Sequence, residues 1–262
     1  MSRSIISKFL LALSLLLPSV SWGAVATDAI SHGQCQSTAC DVGANTLTLS
    51  HTNTASVSNM VAAVFIGCGG AETSPTVGSI TYAGTALTQI QTVSPVAQRR
   101  GYLFGWPSGS TPTTGTNNLV VTLSGNLNTA CDVGATLSAV VMSVTGSDST
   151  SQYVTSNTNS GTGTTASLTV SSNPTGSMGF SAGCAGNGVT SSTEGTIDAT
   201  DTNTGNSCGT AFGMDVAPTD ASWSYTIPSD SWITAGLVFA ASGGGGGGGG
   251  TAGTLTLLGV GQ

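Results

Sequence analysis

Charge is what this chain lacks most. Only 6% of its 262 residues are Asp, Glu, Lys or Arg, against roughly 25% in ordinary globular proteins. Lys8 is the single lysine, and Arg3, Arg99 and Arg100 complete the basic set against 11 acids. Phosphate binding needs clustered cations, so the composition argues against nucleic acid and anionic membrane surfaces as partners. Histidine is limited to His32 and His51, and no C-x-x-C pair occurs, which removes the usual zinc spacings. No segment sustains an apolar repeat of helical period. Aromatics are sparse at 5%, so each tryptophan carries weight.

What is present begins with export. Residues 1–26 read as a secretory signal: basic Arg3 and Lys8, an apolar run from Phe9 to Leu17, then small residues. The run is too short to span a bilayer. Ala24-Val25-Ala26 offers an A-x-A cleavage site, and a cut after Gly23 also satisfies the small-residue requirement. Removal of Arg3 and Lys8 leaves two arginines against eleven acids, a net charge of −9. The pair Arg99-Arg100 then reads as a solvated strand edge that discourages aggregation, and as the lone trypsin site.

Six cysteines remain: Cys35, Cys40, Cys68, Cys131, Cys184 and Cys208. An even count in an exported chain reads as disulfides, with 15 possible connectivities. We expect Cys35 to pair with Cys40 across a local loop. Cys68 is expected to pair with Cys184, because each ends a similar apolar run.

From Thr46 onward, short apolar or alternating runs are broken by Gly, Asn, Pro and Ser. Alternation is cleanest at Leu119/Val121/Leu123, Ala166/Leu168/Val170 and Trp223/Tyr225/Ile227, as in strands with one face in a core. The runs 60–68, 137–144 and 232–240 are apolar on both faces and free of proline, as central strands require. Residues 79–89 read as a hairpin turning at Ala83-Gly84. The fold expected is all-β: a two-sheet antiparallel β-sandwich, jelly-roll-like, of about ten to twelve strands over residues 27–242. The glycine run 243–250 and the residues after it form a flexible tail, 243–262, that is too short to cross a membrane. The heptapeptide Thr38-Ala39-Cys40-Asp41-Val42-Gly43-Ala44 recurs at 129–135, but the match extends no further and falls outside solenoid periods.

Three stretches carry a resemblance. They are Val77-Gly78-Ser79-Ile80-Thr81-Tyr82-Ala83-Gly84, Tyr102-Leu103-Phe104-Gly105-Trp106-Pro107, and Leu119-Val120-Val121-Thr122-Leu123. With Ser222-Trp223-Ser224-Tyr225 and Trp232-Ile233-Thr234-Ala235-Gly236, the chain resembles a β-sandwich surface or adhesion-like module of bacterial secreted proteins. That resemblance implies a fold and a surface role, and no catalytic residue. The tail Ala252-Gly253-Thr254-Leu255-Thr256-Leu257-Leu258-Gly259 is similar to a degenerate Pro-Glu-Pro envelope sorting signal, with Thr251 and Ala252 where the proline motif would stand.

Candidate chemistry is thin. Gly205-Asn206-Ser207-Cys208-Gly209 fits G-x-S-x-G, but both histidines lie upstream and no helix follows. The pairs Asp198/Asp201 and Asp215/Asp220 have the residue type of a glycosidase, which needs two carboxylates at a set separation. Asp198, Asp201 and Asn203 alternate oxygen ligands in a loop, as calcium sites do, yet depart from EF-hand order. Trp106 and Trp232 are the aromatics expected at the surface, where they would form a sugar-stacking platform. The expected function is therefore a non-enzymatic surface or extracellular-matrix protein, structural or adhesive, without a required cofactor. A carbohydrate-binding module with optional calcium comes second, and a glycoside hydrolase third. Surface glycans or other envelope and matrix proteins are the expected partners.

Overall fold

A computed structural model describes residues 24–36, 45–69, 75–97, 99–127, 133–170, 174–186, 191–192, 209–215 and 221–243. In chain order the strands are β1 (Ala26–Gln36), β2 (Thr46–Asn53), β3 (Val57–Gly69), β4 (Val77–Tyr82), β5 (Thr85–Ala86), β6 (Thr88–Val96) and β7 (Arg99–Gly105). There follow β8 (Gly115–Leu123), β9 (Val133–Thr145), β10 (Tyr153–Val170), β11 (Met178–Ala185), β12 (Ser191–Ser192), β13 (Gly209–Asp215) and β14 (Ala221–Phe239). All pairings are antiparallel, so the all-β sandwich expected from the alternation is what forms. Two of the strands, β5 and β12, are only two residues long.

The sheets number three rather than two. A central sheet has the order β1-β9-β3-β7-β6, a four-stranded sheet has β2-β8-β4-β5, and a third runs β10-β14-β11-β13 with β12 on β14. The central sheet is covered on both faces, and its composition explains why. Along β3, Met60, Ala62, Val64, Ile66 and Cys68 face a core shared with Leu47, Leu49, Ile80, Tyr82, Leu119 and Val121 of the four-stranded sheet. The intervening Val61, Ala63 and Phe65 face a second core with Met178, Phe180, Ile233, Leu237 and Phe239 of the third sheet. A period of two sends successive side chains to opposite faces, so a strand apolar at every position needs a partner layer on each side. Each fully buried Leu, Ile or Phe contributes about 1.5–3 kcal/mol relative to exposure.

The third sheet folds over itself. β10 and β14 pair in two stretches, 155–163 with 230–238 and 165–170 with 221–226, with a register shift between Gly163 and Thr165. Asn157 Nδ2 donates to Thr169 O (2.7 Å) and Asn159 Nδ2 to Ser167 O (2.9 Å), so the two arms of β10 lie against each other. The folded arm closes a third core, in which Leu168, Trp223, Tyr225 and Ile227 pack on Ala185, Trp232 and Val238. Tyr225 reaches Ser181 Oγ on β11 through its hydroxyl at 2.7 Å. Gly236 permits this approach: a Cβ there would lie 2.4 Å from Phe180 O and 2.7 Å from Leu168 Cδ2.

The hairpin expected at 79–89 is present, with β4 and β5 joined by Ala83 (φ 49°) and Gly84 (φ 82°). Two positive φ values in a two-residue loop match the right-handed strand twist. The sequence reading begins its strands at Thr46, whereas β1 already pairs with β9 from Ala26 onward. β1 is poor in apolar residues, and its partner strand rather than its own alternation defines it.

Candidate functional site

Three polar arrangements stand out among the described residues. The first joins β1, β2 and β9. His51 Nδ1 lies 2.9 Å from Ser31 Oγ, and Nε2 lies 3.1 Å from Ser143 Oγ. Ser143 Oγ donates to Asp28 Oδ2 at 3.0 Å, and the same carboxylate accepts the Thr54 N–H and hydroxyl. With its hydrogen directed to Asp28, Ser143 Oγ is left to accept, so the imidazole donates from Nε2 and accepts from Ser31 at Nδ1. Burial pushes the His51 pKa down, outweighing the opposing influence of Asn53 and Asp28, which favours the neutral ring. In a hydrolase triad the carboxylate bonds directly to the imidazole and steadies its charged form. Here a hydroxyl stands between them. The arrangement holds strands of two sheets together.

The second lies between the central and folded sheets. Arg99 Nη1 donates to Ser231 Oγ at 2.7 Å, and Nη2 lies 3.5 Å from Asp230 Oδ1. Arg99 is buried, which corrects the reading of it as a solvated edge; Arg100, beside it, is half-buried. A strand sends neighbouring side chains to opposite faces, so the two arginines do not share an environment. Burial lowers the Arg99 pKa and Asp230 opposes the shift.

The third is a cleft of about 400 Å³ lined by Thr88, Ile90, Gly105, Trp106, Ser108, Thr150, Ser151, Gln152 and Tyr153. Trp106 in its lining is held in place: Nε1 donates to Ser110 Oγ (3.0 Å), and the ring meets Tyr82 edge-on at 6.3 Å. Asp148 Oδ1 accepts the Thr150 hydroxyl and N–H (both 2.7 Å) and the Ser151 N–H (3.0 Å). Those donors draw the Asp148 carboxyl below its usual range and fix the loop beside the cleft.

The tryptophans expected at the surface are both buried, Trp106 at 3% exposed and Trp232 at 7%. Trp106 belongs to the first core, and Trp232 packs over Gly161 in the third, where a Cβ would lie 2.8 Å from its Cζ2. No paired platform forms from them. Trp106 reaches the cleft only as part of its lining, and Tyr153, at 40% exposed, is the aromatic among the described residues that meets solvent. The fold-back that buries Trp232 joins segments distant in sequence, so phase along one strand did not reveal it.

The calcium candidates Asp198, Asp201 and Asn203 lie outside the described residues, as do Asp220, Ser207, Cys40, Cys131 and Cys208. Cys35, Cys68 and Cys184 are buried and disulfide-bonded. The expected Cys68–Cys184 pairing is corrected by the layers. Cys68 faces the first core and Cys184 the second, on opposite sides of the central sheet, whereas a disulfide needs Cβ atoms about 3.8 Å apart. No protein-family model, curated protein or solved structure matches the chain.

Proposed function

We propose that the chain is a non-enzymatic exported protein of the cell surface or extracellular matrix, whose stacked sandwich serves as a structural and adhesive unit. The observation that carries this reading is where the reactive groups among the described residues are engaged. Arg99, Asp230, His51, Asp28 and Ser143 all bond across strands or sheets, each meeting another of the set or a neighbouring hydroxyl. Disulfide-bonded Cys35, Cys68 and Cys184 suit an oxidising compartment. The signal-like residues 1–26, the near absence of trypsin sites and the likeness to bacterial surface modules point the same way. Surface glycans or other envelope and matrix proteins are the partners this reading implies, and the tail 243–262 is its proposed sorting element.

Cell fractionation with surface immunolabelling in the producing organism tests the reading. Cleaved protein at the surface or in the matrix, with loss of cell cohesion on gene deletion, is the expected result. Full-length precursor in the cytosol would overturn it.

A further inference from the structure

We infer that the cleft beside Trp106 is a binding site for one neutral, polyhydroxylated ligand, a sugar residue of a surface glycan. This deepens the adhesive reading above by naming a partner.

The lining holds no charged residue. An anion entering it would shed water beside Asp148 without gaining a counter-charge, which costs several kcal/mol. A neutral guest pays no such penalty. The polar groups that are present suit hydroxyls: Thr88, Ser108 and Ser151 can each both donate and accept, Thr150, whose proton goes to Asp148, can accept, Tyr153 adds a phenol, and Gln152 an amide. Gln152 is itself 8% exposed, and its Nε2 has no acceptor within the protein. A buried amide donor without a partner carries a penalty that a guest hydroxyl relieves once the side chain turns toward it.

The apolar groups are as specific. Ile90 and Trp106 are among the lining residues, and Tyr153 and Val154, 40% and 42% exposed, are the large hydrophobic residues left at the surface among those described. A sugar ring has an apolar C–H face and a polar rim, so it satisfies both kinds of lining at once. A hydrocarbon leaves the hydroxyls and the amide unpaired, and a fully polar guest leaves Ile90 and the exposed Tyr153 uncovered. The volume, about 400 Å³, falls at the small end of the ~300–1,000 Å³ range of small-molecule sites.

The site is also pre-formed. Gln152 O accepts from Asn59 Nδ2 at 3.2 Å and from Ala240 N at 3.3 Å, and Gly109 N donates to Ser149 O at 2.8 Å. These bonds anchor the loop before Tyr153 to both the central and the folded sheets. Gly105 completes the floor: a Cβ there would stand 2.7 Å from Ile90 Cδ1. Ordering of the loop is therefore not charged against binding.

Saturation-transfer NMR on the full secreted chain is the test. The probes are glucose, galactose, mannose, N-acetylglucosamine and cellobiose, with glucuronic acid and glucosamine as charged counterparts. At least one neutral sugar should receive saturation. Tyr153→Ala and the cleft-filling Thr88→Trp should each weaken it at least about tenfold. Thr48→Ala, on the outward face of β2, should leave it unchanged. Matching circular dichroism and melting curves establish that the variants are folded. Absence of transfer to every neutral sugar at millimolar concentration would overturn the inference. So would binding that survives both cleft variants, or a preference for a charged sugar. Because purified protein is used, these failures leave the localisation test untouched, and a cytosolic precursor would leave the cleft result standing.

Discussion

Arg99 on β7 and Asp230 on β14 meet across the interface between the central and folded sheets, Nη2 to Oδ1 3.5 Å apart, with 7% and 21% of their side chains exposed. Asp230→Ala would strand a buried guanidinium whose Nε already has no partner within the protein. The expected loss in urea unfolding lies at the low end of the ~3–5 kcal/mol seen for broken buried pairs, because Asp230 is partly wet. Arg99→Met combined with Asp230→Ala should recover most of it. Gly186→Ala should also destabilise, by as much as the displacement of the Arg99 guanidinium and Asp230 carboxylate that its Cβ would meet disturbs their pairing. Additive losses in the double variant would show that the two groups do not act as a pair.

His51 makes stability depend on pH with a definite sign. Burial holds its folded pKa below the ordinary 6.5, so under that pH the unfolded chain takes up a proton that the folded chain refuses. The contribution is complete above about 6.5 and is lost as pH falls toward the depressed folded value, at no more than about 1.4 kcal/mol per pH unit. Urea midpoints from pH 8 to pH 4.5 should decline more steeply in the wild type than in His51→Gln. Parallel curves would exclude the residue as the cause.

On the proposed export reading, the packing of Val25 favours a cut after Gly23 over one after Ala26. Its side chain is 4% exposed, packed in the second core, and its N–H donates to Gly176 O at 2.8 Å. A cut after Ala26 would delete that anchor and the first residue of β1, whereas a cut after Gly23 keeps both. N-terminal sequencing of the exported protein should read Ala24-Val25-Ala26. A first residue of Thr27 would show that the fold dispenses with the anchor.

Disulfide connectivity narrows by elimination. Cys184 faces a different core from Cys35 and Cys68. Cys35 sits on β1 and Cys68 on β3, with β9 between them. Two ladder spacings, roughly 9–10 Å, exceed the ~7 Å a disulfide spans. Peptide mapping without reduction should join each of the three to one of Cys40, Cys131 and Cys208. Any bond within the set Cys35, Cys68 and Cys184 would contradict the layer assignment.

Several features were legible without coordinates because they are local or periodic. Leu119, Val121 and Leu123 bury one face of β8 and the 60–68 run buries both faces of β3, as their patterns required. Ala83-Gly84 turns because those two positions form a two-residue loop. β1 was missed, because its single large aliphatic residue, Ile30, is too weak a signal. The cleft was missed as well: its lining comes from segments around residues 88, 106 and 152, and no motif links them.

Period and composition alone determined that this chain forms antiparallel strands and which of them lie centrally. Those properties depend on the order of neighbouring residues, which the sequence states directly. The third sheet, the doubling back of β10 and β14, the burial of Trp106, Trp232 and Arg99, and the separation of Cys68 from Cys184 were decided only in three dimensions. Alternation tells a side chain which face of its own strand it occupies, but the layer opposite that face is chosen by packing among segments far apart along the chain.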